Sequence, residues 1–414
     1  MISIKPFRAY RPVDAYVQEV ADLPYDVVTD EEVRQILKDR PYSFLGVDKP
    51  EAWCEKSDET SVAYAAQMAL NELIDKKILL EDDKESLYIY GLESKWGKQY
   101  GLVGCFSCVE YEQDFIKKHE KTRADKEADR VRHVAACGAH TGPIFLTCKE
   151  DKGLQDWIIQ YIKGETPLYD FKDETGLRQV SYRICDKEAM GEIIGLFAGL
   201  NALYVADGHH RLQAASTYAK QRREANKDEI CGGDLKEEYE YFLGVVFPKS
   251  ELTILDYNRV LKDESGLSEE ALMEALNQSF EVSLVGEGLF KPEVRHTFGM
   301  RYKKKWYALK AKEKLIDEEN VVERLDTFIL QKKVLEPIFK IEDPRTDKRI
   351  DFVGGIKGIT ALNDLTDEKW DIAFSLYPTS IEELIDVADQ SELMPPKSTW
   401  FEPKLRSGLF IHKF

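Results

Sequence analysis

Gly208 sits at the centre of the stretch that most constrains the fold. Before it, Leu203, Tyr204, Val205 and Ala206 form a short apolar run that predicts a buried strand. After it, Leu212, Ala215 and Ala219 recur at helical spacing from His209 to Arg222. The linking residues Asp207, Gly208, His209, His210 and Arg211 therefore open a helix out of a strand, the connection of an α/β fold. A helix start leaves free backbone N–H groups and the positive end of the dipole, which together favour an anionic group. Gly208 lets backbone approach a ligand closely, and Arg211 offers a planar fork for phosphate oxygens. The same residues also admit a purely structural role, with Asp207 as an N-cap, the histidines satisfied by hydrogen bonds and Arg211 paired with a surface carboxylate.

Strand, Gly-His-Arg-type turn and helix resemble the phosphate-binding corner of the ParB/sulfiredoxin-like fold. Sulfiredoxins carry Gly-Gly-Cys-His-Arg there and free serine kinases Asp-Gly-His-His-Arg, the version found at residues 207–211. His209 stands where sulfiredoxins have their cysteine, which excludes thiol chemistry at that position. The Gly-Glu-Arg-Arg box of partition proteins is absent from the chain. A second segment, Phe115 to Thr122, contains His119-Glu120 and precedes a helix-like stretch from Asp125 to Ala139 and a strand, Pro143 to Thr147. This order is similar to that of the free serine kinases. The resemblance implies that Glu120 takes the proton of a substrate hydroxyl. It places Gly208, His210, Arg211, His119 and Thr122 at the nucleotide phosphates, His209 and Asp207 among the catalytic groups, and Mg²⁺ on Asp207, directly or through water.

The whole chain also resembles a large bacterial family known as a domain of unknown function. The shared boxes are Pro6 to Ala9, Pro24 to Val27, Met394 to Thr399 and Ser407 to Leu409. The kinase-like region covers only about residues 100 to 250.

At 414 residues, with 43% hydrophobic and 32% charged residues, the chain has the composition of a folded soluble protein. Its net charge of −18 opposes binding to nucleic acid or an anionic membrane, whereas a small nucleotide needs only a local basic corner. Neither a signal-peptide h-region nor a membrane-length apolar run is present, so a cytoplasmic location is expected. The seven cysteines, an odd number, suit a reducing compartment. Cys105 and Cys108 have zinc-like spacing, but without a second pair they read as core packing.

The expected architecture is mixed α/β: a ParB/sulfiredoxin-like nucleotide-binding core at 96–250, between an N-terminal α/β module at 1–95 and a C-terminal α+β module at 251–414. Helices are predicted over Asp30 to Arg40, Thr60 to Lys77, Ser268 to Gln278 and Glu318 to Leu335, with a hairpin from His296 to Lys310 turning at Lys303-Lys304-Lys305. Ser380 and Glu383 form a capping-box signature. Gly153 to Gly176 reads as an insertion able to serve as a lid, and the pattern changes at Cys231-Gly232-Gly233-Asp234. The tail box at 394–399 reads either as a phosphate-contacting loop or, preferably, as a proline-stiffened segment that packs Trp400 and Phe401. No Walker A sequence occurs, and Gly354 to Gly358 reads as a turn.

These readings converge on a small-molecule kinase that uses ADP or ATP and Mg²⁺ and moves phosphate to or from the hydroxyl of serine or a related metabolite. The alternatives are a ParB-like nucleotide-binding regulator and a phosphometabolite sensor without turnover.

Overall fold

The computed structural model describes residues 2–56, 58–149, 152–226 and 237–414. The expected change of pattern at Cys231 to Asp234 lies outside the described residues. Two compact units are present: the first comprises Met1–Lys117, Thr122–Leu252 and Pro403–Phe414, the second Lys118–Lys121 and Thr253–Glu402. The class is mixed α/β, as the sequence predicts.

The first unit is built on a mixed eight-stranded sheet. From edge to edge its strands are Ile116–Lys117, Leu203–Asp207, Ile144–Cys148, Tyr241–Pro248, Gly97–Ser107, Leu87–Ser94, Arg178–Ile184 and Tyr169–Lys172. Leu203–Asp207 runs parallel to Ile116–Lys117 and antiparallel to Ile144–Cys148. Strand Ile144–Cys148 is buried throughout, so it reads as a continuous apolar run instead of an alternating one. Leu146, Val205, Phe106, Phe197 and Leu212 share one core, each large apolar side chain contributing about 1.5–3 kcal/mol by leaving water.

Several expectations shift within this unit. Residue 95 is not a module boundary in the sheet, because it falls in the turn between Leu87–Ser94 and Gly97–Ser107, which pair as a hairpin. Residues 153–176 are not a lid. They supply most of helix Lys152–Ile162, whose Leu154 and Ile158 enter the core, and the edge strand Tyr169–Lys172. Trp157 and Tyr161, three and seven residues after Leu154, pack against the same core from the same helix face. Cys105 and Cys108 are core residues, and burial pushes both thiols upward.

The second unit carries an all-antiparallel six-stranded sheet in the order Phe280–Gly286, Lys305–Ala311, Thr297–Tyr302, Ile372–Ser375, Tyr257–Leu261, Ile350–Gly354. The predicted hairpin forms between Thr297–Tyr302 and Lys305–Ala311, with Lys303 and Lys304 both at positive φ as a tight two-residue turn requires. The capping box at Ser380 and Glu383 is present. The long helix expected from Glu318 shrinks to Asp326–Leu330, continued by one π-turn at Gln331–Leu335. The Asp317 and Asn320 side chains accept the backbone N–H groups of Glu319, Val322 and Glu323, an alternative to helical bonding. Among the described residues no helix is long and apolar enough to cross a membrane.

Candidate functional site

The motif forms the predicted corner. Strand Leu203–Asp207 ends at Gly208, which lies at φ +90°, and helix His209–Ala225 begins directly after it. That left-handed conformation is cheap only for glycine, so residue 208 fixes the abruptness of the turn. Gly208 itself occupies the cap position and Asp207 precedes it, which removes the reading of Asp207 as the N-cap. Oδ1 of Asp207 accepts the Gly208 N–H at 2.8 Å, and Oδ2 accepts the Lys404 ammonium at 2.6 Å. Partial burial works to raise the Asp207 carboxyl, yet Lys404 outweighs it and holds the group below the ordinary carboxylate value. The first helical turn contains no acidic residue, so the helix does not neutralise its own positive end. His209 is buried and His210 half-buried.

Arg211 is placed differently from the expectation. Its guanidinium donates to Oδ2 of Asp48 at 2.8 Å and to the Ser407 hydroxyl at 3.3 Å. Asp48 is fully buried, its other oxygen accepts the Thr141 hydroxyl at 2.8 Å, and its backbone carbonyl accepts from Arg130 at 3.0 Å. Burial works to raise the Asp48 carboxyl, but Arg211, followed by His133 and Ser407, holds it below the ordinary value. The Tyr25 ring faces both guanidinium groups, 4.3 Å from Arg130 and 5.1 Å from Arg211. Residue 142 must be glycine for this packing, because a Cβ there would collide with the Arg211 guanidinium. The adjoining cavity, lined by Arg130, His133, His140, Thr141, Gly142 and Arg211 among others, measures about 20 Å³, room for about one water and not for a phosphate. Arg211 is thus paired with a carboxylate that is buried and not on the surface.

Three boxes scattered through the sequence meet here. Tyr25 comes from the Pro-Tyr-Asp-Val box, Arg211 from the central motif and Ser407 from the Ser-Gly-Leu segment. Asp48, at the end of the short helix Leu45–Asp48, and Arg130 and His133, on helix Ala124–Cys137, join them without any local signal. Lys404 is visible in the sequence only as a cation near the tail.

His119 and Glu120 belong to the second unit, while Thr122 and the central motif belong to the first. The His119 carbonyl accepts the Met394 N–H at 2.8 Å, and its Nε2 lies 3.4 Å from the Thr399 hydroxyl, so the His-Glu pair is seated on the tail box. That box is held by the buried Arg259, which donates to the carbonyls of Pro396 and Lys397. Phe401 is buried and Trp400 packs edge-to-face on Tyr257, the packing preferred from sequence. Thr122 reaches Glu127 at 3.5 Å.

The sequence profile of the DUF1015 family, described as a protein of unknown function, matches residues 4–328. The chain belongs to the DUF1015 family. The tail box of this DUF1015 protein lies beyond the matched residues. No curated protein matches the chain. Among solved structures, a free serine kinase in complex with AMP is 14% identical, with 75% of this chain and 91% of that one covered at a TM-score of 0.38. SbnI from Staphylococcus aureus, truncated at its C-terminus, is 11% identical over 75% of this chain and 87% of that one at 0.39. A conserved hypothetical protein from Pyrococcus furiosus is 14% identical over 75% and 94% at 0.37.

Proposed function

We propose that this DUF1015 protein is a small-molecule kinase that moves phosphate between a nucleotide, ADP or ATP, and the hydroxyl of serine or a related metabolite. The observation that carries this reading is the corner at Gly208: a strand turns through a left-handed glycine into a helix whose positive end holds two histidines and no acid. Such an end attracts phosphate oxygens through backbone N–H groups. The Asp-Gly-His-His-Arg motif at that corner, and the His-Glu pair before it, resemble those of the free serine kinases.

Phosphoryl transfer asks for alignment, charge neutralisation and removal of one proton, not for covalent catalysis. In the proposed reaction the acceptor oxygen forms a bond to phosphorus as the bond from phosphorus to the nucleotide oxygen breaks. Glu120 receives the hydroxyl proton, and His209, His210 and the N–H groups of the helix start hold the transferred phosphate. Mg²⁺, which binds phosphates with few protein ligands, supplies charge neutralisation on the nucleotide.

The test is incubation of the purified protein with ADP or ATP, Mg²⁺ and a panel of hydroxylated small molecules, followed by phosphorus NMR. A new phosphomonoester signal that depends on one acceptor is expected. Nucleotide binding with no transfer to any acceptor would overturn the enzyme reading and leave a sensor.

A further inference from the structure

Near its N-terminal end the first unit builds two small apolar clusters, and residues from both line a cleft. One cluster gathers Phe44, Val47 and the inner face of helix Glu59–Asp75, where Ala66, Leu70 and Leu73 are buried. The other gathers Val33, Leu45 and Ala52, with Leu37 of helix Asp30–Asp39 packed on it. The cleft has a volume of about 760 Å³, and its lining includes Leu37, Trp53 and Met68 together with the charged residues Glu72, Asp75 and Lys76. A volume of that order suits a small organic molecule, and such pockets are apolar with a few polar groups that fix orientation.

Two features of the lining go beyond shape. Trp53 is 40% exposed and Met68 49% exposed, yet the one polar atom of Trp53, Nε1, donates to the Gly46 carbonyl at 3.0 Å. The indole is therefore held in place with its ring open to water, a preorganised wall for an apolar or cationic group. The charges of the lining do not cancel. Lys76 is paired with Glu72 at 2.6 Å, one helical turn back, and stands 5.2 Å from the Tyr42 ring. Asp75 is exposed, and its side chain has no ion pair or hydrogen bond among the described residues. Two carboxylates against one ammonium give the cleft a negative excess, which a ligand of opposite sign complements and a phosphate-bearing one does not.

We propose that this cleft binds a small organic cation, with its apolar body against Trp53 and Met68 and its ammonium toward Asp75. Met68 and Asp75 lie two turns apart on one helix, about 10 Å along its axis, which sets the length of the ligand. The site shares no residue with the Gly208 corner and does not depend on the kinase reading.

The experiment is calorimetric titration of the full chain with phenylbutylammonium, phenylbutanol and phenylbutanoate, which share one apolar body of about that length and differ in charge. Wild type is compared with Asp75→Asn, Trp53→Ala and Met68→Gln, and thermal unfolding of each variant checks folding. Wild type is expected to bind the ammonium most tightly, the alcohol next and the carboxylate least. Asp75→Asn should weaken the ammonium by about two- to fivefold, the range of an exposed ion pair, and leave the alcohol where it is. Trp53→Ala should weaken ammonium and alcohol alike, by about tenfold. Met68→Gln, of nearly the same shape, repeats that test of the apolar wall with the Trp53 tether intact, so a folding defect in Trp53→Ala leaves the question answerable. The proposal is overturned if wild type does not bind the ammonium, if the three probes bind equally, if Asp75→Asn keeps the wild-type preference for the ammonium over the alcohol, or if neither Trp53→Ala nor Met68→Gln weakens binding.

Discussion

Two carboxylate–cation pairs of the first unit have nearly the same geometry and opposite surroundings. Asp48 meets Arg211 at 2.8 Å, and Asp207 meets Lys404 at 2.6 Å. Around the first pair every remaining group is supplied by the protein: the Thr141 and Ser407 hydroxyls, the Tyr25 ring, the bare Cα of Gly142. The second pair stands at the start of a helix that carries no acid in its first turn, and 38% of the Asp207 side chain is exposed. Pair distance alone therefore does not reveal how strongly a pair supports the fold. What separates the two pairs is burial: the Asp48 side chain is fully buried, whereas 38% of the Asp207 side chain is exposed.

The widest separation between scaffold and chemistry is expected at Glu120. A general base contributes about 10²- to 10⁴-fold to rate and little to ground-state affinity. Glu120→Gln should lower turnover in the phosphorus NMR assay by about that factor, while ADP affinity measured by calorimetry hardly changes. Full turnover in this variant would transfer the base to another carboxylate and take Glu120 out of the chemistry.

Asp48→Asn tests the opposite side of the comparison. It strands the mostly buried Arg211 charge, and breaking a buried pair costs about 3–5 kcal/mol. A large drop in the urea unfolding midpoint is expected, against a small one for Lys404→Met. If the two variants lost equal stability, the distinction between the buried and the partly exposed pair would fail.

The pH dependence of stability sharpens the same contrast. His133 and His140 line the cavity beside Arg211, and burial lowers them to about 4 and about 3. Their unfolded value is about 6.5, so on acidification the unfolded chain takes up protons first. Stability should thus be fully present above pH about 6.5 and fall as the pH drops toward about 4, by at most ~1.4 kcal/mol per unit for each histidine. His133→Gln should about halve that slope in denaturant unfolding series; an unchanged slope would show that His133 does not contribute. Gly142→Ala is the smallest perturbation, an overpacking of about 1–3 kcal/mol in which a methyl group displaces the Arg211 guanidinium. Its thermal midpoint should fall, and a midpoint equal to wild type would mean that Arg211 has room to move and is less fixed than Asp48 suggests.

Elements governed by local rules were legible in the sequence. The strand and helix around Gly208 follow from apolar period and a glycine at the turn, the Lys303-Lys304 hairpin from its flanking alternation, and the Ser380–Glu383 box from capping chemistry. The long helix expected from Glu318 failed because Asp317 and Asn320 side chains compete for the backbone donors, a contest that periodicity does not register.

The sequence by itself determined where the strand-to-helix corner would lie, because strand period, helix period and left-handed glycine act over a few residues. Which charge serves which purpose was decided only by tertiary structure. Nothing near Arg211 or Lys404 in the sequence names its partner, and those partners, Asp48 and Asp207, lie 163 and 197 residues away. Electrostatic roles depend on the distance and burial of every neighbouring charge, and those neighbours are brought together by packing of the sheet, its helices and the final segment.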